Sequence, residues 1–317
     1  MSNINYLLNK FKDSAQVKQI VDELKTVPAR IRLKGIKGAQ KAFLIASTAE
    51  NTSMLHVVIC ESKEEAAYLF NDVTGILGEY RTWFFPDSFK RPGFFDDLNA
   101  TQILQRSETI NKLINTPGNG HVVVTYPEAL FERVVKPAIL SQHRIEVLKG
   151  GKLDVNFAIE ILIEYGFERT DFVYEPGQFS IRGGIIDLFS HGNDLPYRIE
   201  LFDDEVERIQ TFDPLTQLSK SNLESVSIVP NLNTRFRQDE KAPFLTVLPT
   251  NSVLWVNDIQ FVYDRLQYCF EQAEKFASRI NAHDPAELRE IFRDRAFVYP
   301  GDIADEFTSM STLFFET

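Results

Sequence analysis

Apolar positions follow three rhythms along this chain. Over residues 4–26 they recur at helical spacing, and Pro28 closes the segment. Continuous apolar runs then appear at MLHVVICES (54–62), TWFFP (82–86) and HVVVTY (121–126), the pattern of strands buried on both faces. Helical spacing separates them: a helix beginning near residue 38 and carrying AFLIAS, KEEAAYLFNDVTGIL (63–77), and FDDLNATQILQRSETINKLI (95–114). PEALFERVV (127–135) opens a further helix, with proline where a missing N–H costs nothing. The βαβα alternation over 30–136 predicts an open, mainly parallel α/β sheet.

From about residue 141 the period shortens. HRIEVLKGG reads as a strand and DVNFAIEILIEYGF (154–167) as an amphipathic helix ending at Gly166. DFVYEPG, QFSIRGGIIDLFS, PYRIELF and EVERIQTF follow, separated by turn residues, and the run ends near SIVPNLN (227–233). This is the pattern of a small antiparallel sheet with one helix. Strand and long-helix signals return over 252–282. The economical arrangement makes 1–140 the first part of an α/β domain, 141–231 an inserted α+β domain, and 232–317 the completion of the first.

A length of 317 residues suits two or three domains, and 44% hydrophobic with 25% charged residues is ordinary for a globular chain. There is no membrane-span pattern and no signal-peptide layout, which predicts a cytoplasmic protein. Cys60 and Cys269 lie far apart and fit reduced thiols, and the histidines at 56, 121, 143, 191 and 283 form no metal spacing, so neither metal nor cofactor is expected. A net charge of −11 disfavours nucleic acid on average. Against it stands a basic stretch: Lys10, Lys12, Lys18, Lys25, Arg30, Arg32, Lys34, Lys37 and Lys41, with only Asp13, Asp22 and Glu23 among them. Three readings stay open for it: a DNA-facing patch, a face docking on acidic parts of the same protein, or a solvated surface.

GIKGAQKA (35–42) is almost a phosphate loop. Gly35 and Lys41 match G-x-x-x-x-G-K-[ST], and Gly38 adds a further glycine. Gln40 stands where the second glycine belongs, and Ala42 lacks the hydroxyl that would hold Mg²⁺. The loop therefore reads as degenerate. IELFDDE (199–205) imitates a Walker B strand but lies in the inserted domain, and reads better as a strand and acidic turn.

The segment EPGQFSIRGGIIDLFSHGNDLPYRIELFDDEVERIQTFDPLTQLS (175–219) carries the strongest resemblance. Gly177, Phe179, Arg182 and Gly183 match a G-x-[FY]-x-x-R-G pattern, and Arg198 to Phe202 an R-[VIL]-[ED]-x-F pattern. Both are similar to the second domain of UvrB, the bacterial excision-repair helicase, and to the N-terminal UvrB-homology module of bacterial transcription-repair coupling factors (Mfd). The broken loop favours the latter. So does FFPDSFKRPGFFDDLNATQ, which reads as strand directly into helix with no room for UvrB's DNA-clamping hairpin. The resemblance implies a degenerate RecA-like, P-loop-like α/β domain with an inserted small α+β domain, within a longer polypeptide carrying polymerase-binding and translocase domains. It implies a non-catalytic adaptor that recruits UvrA to stalled polymerase and touches DNA only weakly. The rival readings are a UvrB-like ATPase using Lys41, and a DNA-binding module using residues 10–41.

Alternation along PYRIELF puts Tyr197, Ile199 and Leu201 on one face and Arg198, Glu200 and Phe202 on the other. The first set is a core face. The second reads either as surface ion pairs with Phe202 under a loop, or as a docking face. The resemblance assigns UvrA contact to Arg182, Arg198 and Phe202, with Glu200 beside them.

Overall fold

The computed structural model describes residues 3–316 apart from 27, 92–93, 116–119, 143–144, 191–192, 194, 229–239, 282, 284–288 and 290–296. The expected boundary at residue 231, and His143 and His191, fall outside the described residues. The chain divides into two compact units, Met1–Val134 with Ala242–Thr317, and Val135–Lys241.

In chain order the first strands are β1 (Arg30–Lys34), β2 (His56–Ile59), β3 (Thr82–Phe84), β4 (Phe89–Arg91), β5 (Phe94–Leu98), β6 (Val122–Thr125) and β7 (Val134–Val135). Next come β8 (Ile145–Leu148), β9 (Glu168–Arg169), β10 (Gln178–Arg182), β11 (Ile185–Leu188) and β12 (Tyr197–Phe202). The remainder are β13 (Glu205–Phe212), β14 (Ser219–Leu223), β15 (Ser225–Ile228), β16 (Lys241–Ala242), β17 (Val253–Val256) and β18 (Ser311–Glu316). The helices include α1 (Asn3–Lys12), α2 (Ala15–Glu23), α3 (Gln40–Glu50), α4 (Lys63–Leu77), α5 (Ala100–Asn115), α6 (Pro127–Leu130), α7 (Pro137–Gln142), α8 (Val155–Glu164) and α9 (Ile259–Ala277).

The first unit is built on a six-stranded sheet in the order β1-β18-β17-β2-β6-β3, parallel at every pairing. HVVI, VVVT and VLWV are buried at all four positions, as runs covered on both faces must be. The edge strand β1 instead alternates: Ile31 and Leu33 are buried, and Arg30, Arg32 and Lys34 face water. Trp255 sits fully buried in the middle of the sheet and donates its indole N–H to His56 Nδ1 at 3.0 Å. α4 begins where Ser62 accepts the Glu65 amide and ends at Gly78, whose φ of +87° suits only glycine.

Three sequence expectations need correction in this unit. The helical segment 4–26 is two helices, because Ser14 accepts the Val17 amide and caps a new start at α2. PEALFERVV yields only the four-residue α6. The stretch 87–99 does not pass straight from strand to helix: β4 and β5 form a short antiparallel hairpin, pinned by Phe89 and Phe95, whose buried rings meet edge to face at 5.0 Å. The sequence signal available for the hairpin is the Pro-Gly pair at 92–93 between two aromatic-rich runs.

The second unit holds a six-stranded sheet ordered β14-β13-β12-β11-β10-β9. Its pairings are antiparallel except β9 with β10. α8, capped by Asp154, supplies Leu162 to a core shared with Phe179, Ile186, Leu188, Ile199, Val206 and Ile209. β8 and β15 pair as a separate ribbon and add Val147, Val226 and Ile228 to that core. DFVYEPG is a loop, and the strand that starts this region is the two-residue β9 before it.

Candidate docking face

The β10–β11 turn explains the two glycines of SIRGGII. Gly183 takes φ +61°, and a Cβ on Gly184 would stand 2.6 Å from the Leu201 carbonyl oxygen. That approach lets Leu201 N–H donate to Gly184 O at 2.7 Å, joining the turn to β12. The strands are thereby set in register, and Ser180, Asp187, Arg198, Gln210 and Asn222 line up as one row across five of them. The row lies on the face opposite the α8 core.

Asp187 is the centre of this row, 1% exposed. Arg198 donates to it through Nε–H to Oδ1 at 2.7 Å and Nη2–H to Oδ2 at 2.9 Å. Its third nitrogen, Nη1, donates to the Gln217 carbonyl at 3.2 Å, and its guanidinium lies 4.6 Å over the Phe212 ring. The Asp187 hydrogen bonds hold Arg198 protonated more firmly than usual, raising its pKa. Arg182 also donates to Asp187 Oδ2 but keeps 41% of its side chain exposed, against 15% for Arg198. Of the two arginines assigned to partner contact, Arg198 is therefore the one more fully engaged within its own sheet. Its fork is committed to a buried carboxylate, and Arg182 is the more open cation. Glu200 faces Arg208 at 3.4 Å, and Phe202 is 77% exposed at the far end of β12.

Asp187 and Gln217 escaped sequence reasoning. The signal for Asp187 was a lone carboxylate inside the apolar run IIDLF, which a strand tolerates only with a partner. Nothing in the sequence marks Gln217.

The glycine loop of the first unit has different geometry. Gly35 and Gly38 take φ of +73° and +55°, so the glycine-only conformations fall on them. Gln40 is the first helical residue and carries no such strain; its side-chain oxygen accepts the Lys37 amide at 3.2 Å. Lys41 Nζ donates to Glu65 at 2.9 Å and Asn257 at 3.4 Å, and lies 4.7 Å over the Phe315 ring. Burial would raise Glu65, yet the Lys41 hydrogen bond, the Glu61 amide and the Lys41 charge hold its carboxyl below the usual range. Ala42 is buried. An open cavity of about 610 Å³ lies at the C-terminal ends of β1, β17 and β18, where Glu61, Asp258 and Glu316 face it with Arg32. Asp203 and Asp204 of the Walker B imitation form the turn between β12 and β13, in the other unit.

Most of the basic stretch is paired within the first unit. Lys12 meets Glu50, Lys18 meets Asp13, Lys25 meets Asp22, Arg32 and Lys34 meet Glu316, and Lys41 meets Glu65. Arg30 donates to the carbonyls of Phe307, Thr308 and Met310. Among the described residues no group of three or more His, Cys, Asp or Glu is arranged to hold a metal, and no helix is long and apolar enough to cross a membrane.

The family model described as the UvrB interaction domain matches residues 145–233, which lie within the second unit. The chain is 31% identical over 245 residues to the transcription-repair-coupling factor of Bacillus subtilis (strain 168), covering 76% of this chain and 20% of that protein. It is 28% identical over 201 residues to the factor of the same name from Escherichia coli (strain K12), covering 63% of this chain and 17% of that one. A UvrABC system protein B, from Thermodesulfovibrio yellowstonii, is 25% identical over 233 residues, 68% of this chain and 34% of its own length. The chain thus spans a fifth or less of these two coupling factors.

Proposed function

From a chain that carries a UvrB interaction domain and is related in sequence to transcription-repair-coupling factors, we propose a non-catalytic adaptor that recruits UvrA to stalled RNA polymerase. It acts as one part of a longer polypeptide that holds the polymerase-binding and translocase domains. Contact with UvrA is made by the polar face of the second unit's sheet. Arg182 and Phe202 reach the partner directly, Glu200 flanks them, and Arg198 positions the face by gripping Asp187.

The carrying observation is the coincidence of the family match with an arginine-rich, aromatic-ended sheet face that the unit's own core does not use. Arginine and aromatic side chains are the favoured anchors of protein interfaces. The absence of nucleotide chemistry is part of the same proposal. Lys41 is neutralised by Glu65, and a loop amide is taken by Gln40. The internal pairing of the basic stretch supports weak DNA contact through this part of the protein. Titration of the chain into purified UvrA by calorimetry tests the reading, with saturable binding in the micromolar range or tighter expected. Nucleotide-dependent DNA unwinding or tight DNA binding by this chain alone would instead favour a UvrB-like enzyme.

A further inference from the structure

Four exposed large apolar side chains sit on two loops beside the Asp187 face, 171–177 and 213–218: Phe172 at 48%, Tyr174 at 50%, Leu215 at 86% and Leu218 at 68%. No core requires these positions to be apolar. Val173 between the aromatics is fully buried on Phe189 and Phe212, so the loop is anchored through one residue and presents its two neighbours.

Both loops are held in shape by side chains. Asp213 Oδ1 accepts the amides of Leu215 and Thr216 at 3.0 Å each. Gln217, at a φ of +60° that a non-glycine residue adopts only under constraint, donates its amide to Pro214 O at 2.7 Å and Val173 O at 3.1 Å. Gln178 accepts the amides of Tyr174 and Glu175 at 2.9 and 3.1 Å. The two loops are thus hooked to each other and to the arginines: Arg198 donates to Gln217 O, and Arg182 lies 5.0 Å over the Phe172 ring. A segment made rigid while it exposes leucine to water is preorganised for a partner, because binding then immobilises little.

We infer that Leu215, Leu218, Phe172 and Tyr174 form the apolar half of the docking face, and that they insert against an apolar patch of UvrA. The occupant follows from continuity with the Arg182–Arg198 face and from the family match, which spans both loops. This rests on the adaptor reading and extends it: the rim adds apolar contact to that of Arg182 and Phe202, and Arg198 on Asp187 supplies the frame. Gln217 is a positioning residue.

The test is UvrA binding by the full chain carrying Leu215→Ser with Leu218→Ser, alongside Leu148→Ser, an exposed leucine on β8 away from this face. The leucine pair is expected to weaken binding at least tenfold with an unchanged melting curve. Gln217→Gly, which relieves the backbone strain but removes the hook, is expected to weaken it less. The Leu148 variant is expected to bind like the parent. Parent-like binding by the leucine pair, or an equal loss at Leu148, overturns the inference and leaves the adaptor reading standing. A leucine pair that changes only self-association in sedimentation also overturns it. No UvrA binding by the parent chain overturns both.

Discussion

Arg198 and Phe202 are four positions apart on one face of one strand, yet they are expected to respond differently to truncation. Phe202 is largely in water, so Phe202→Ala leaves the melting temperature nearly unchanged while UvrA binding falls about tenfold, roughly 1.4 kcal/mol. Arg198→Ala strips a buried carboxylate of its bidentate partner, leaving only Arg182 on it. Breaking a buried pair by removing one partner costs several kcal/mol, and about 2 kcal/mol is expected with Arg182 still present. Thermal melts and calorimetry on the two variants separate the roles: binding loss alone for Phe202, both losses for Arg198. Side-chain alternation made the face legible in the sequence and placed Ile199 in the core and Phe202 in water. It could not show that Arg198 is occupied, because its partner Asp187 comes from the neighbouring strand and their meeting depends on register.

At the scale of elements, the tight β10–β11 turn and the α8-facing core hold the sheet. Gly184→Ala would drive a Cβ into the Leu201 carbonyl, and Ile199→Asp would bury a carboxylate among Phe179, Ile186 and Ile209. Both variants are expected to lose the second unit's cooperative unfolding transition in circular dichroism melts, the aspartate more completely. Strands buried on both faces and strongly amphipathic helices were readable, and α4 matches its sequence span. The failures share a cause. The β4–β5 hairpin is too short to establish a two-residue period, the α1–α2 break depends on one serine cap, and β14 (SKSNL) has no apolar pattern at all. β14 exists because β13 offers it an edge.

Across the whole molecule, acid sensitivity and nucleotide inertness are expected. Burial, with the Arg81 charge nearby, pushes His56 down to about 3 and His121 to about 4, so both stay neutral in the folded chain while the unfolded chain protonates them near 6.5. The unfolded state therefore binds more protons, and stability present above pH 6.5 drains away as pH falls toward 4. His121 packs edge-on against Trp83 at 4.4 Å with both ring nitrogens unpartnered among the described residues, so His121→Phe is expected to raise the melting temperature at pH 5 more than at pH 7.5. Restoring the loop by Gln40→Gly with Ala42→Thr is expected to leave Mg²⁺-ATP binding undetectable by fluorescent-nucleotide titration, since Glu65 still holds Lys41. Tight binding by the parent or the restored chain, abolished by Lys41→Ala, would contradict this. The adaptor claim itself is tested most directly by calorimetric titration of purified UvrA with the full chain and its Phe202→Ala variant. Saturable binding by the parent and about tenfold weaker binding by the folded variant are expected; no binding by the parent, or equal binding by both, would contradict the adaptor reading.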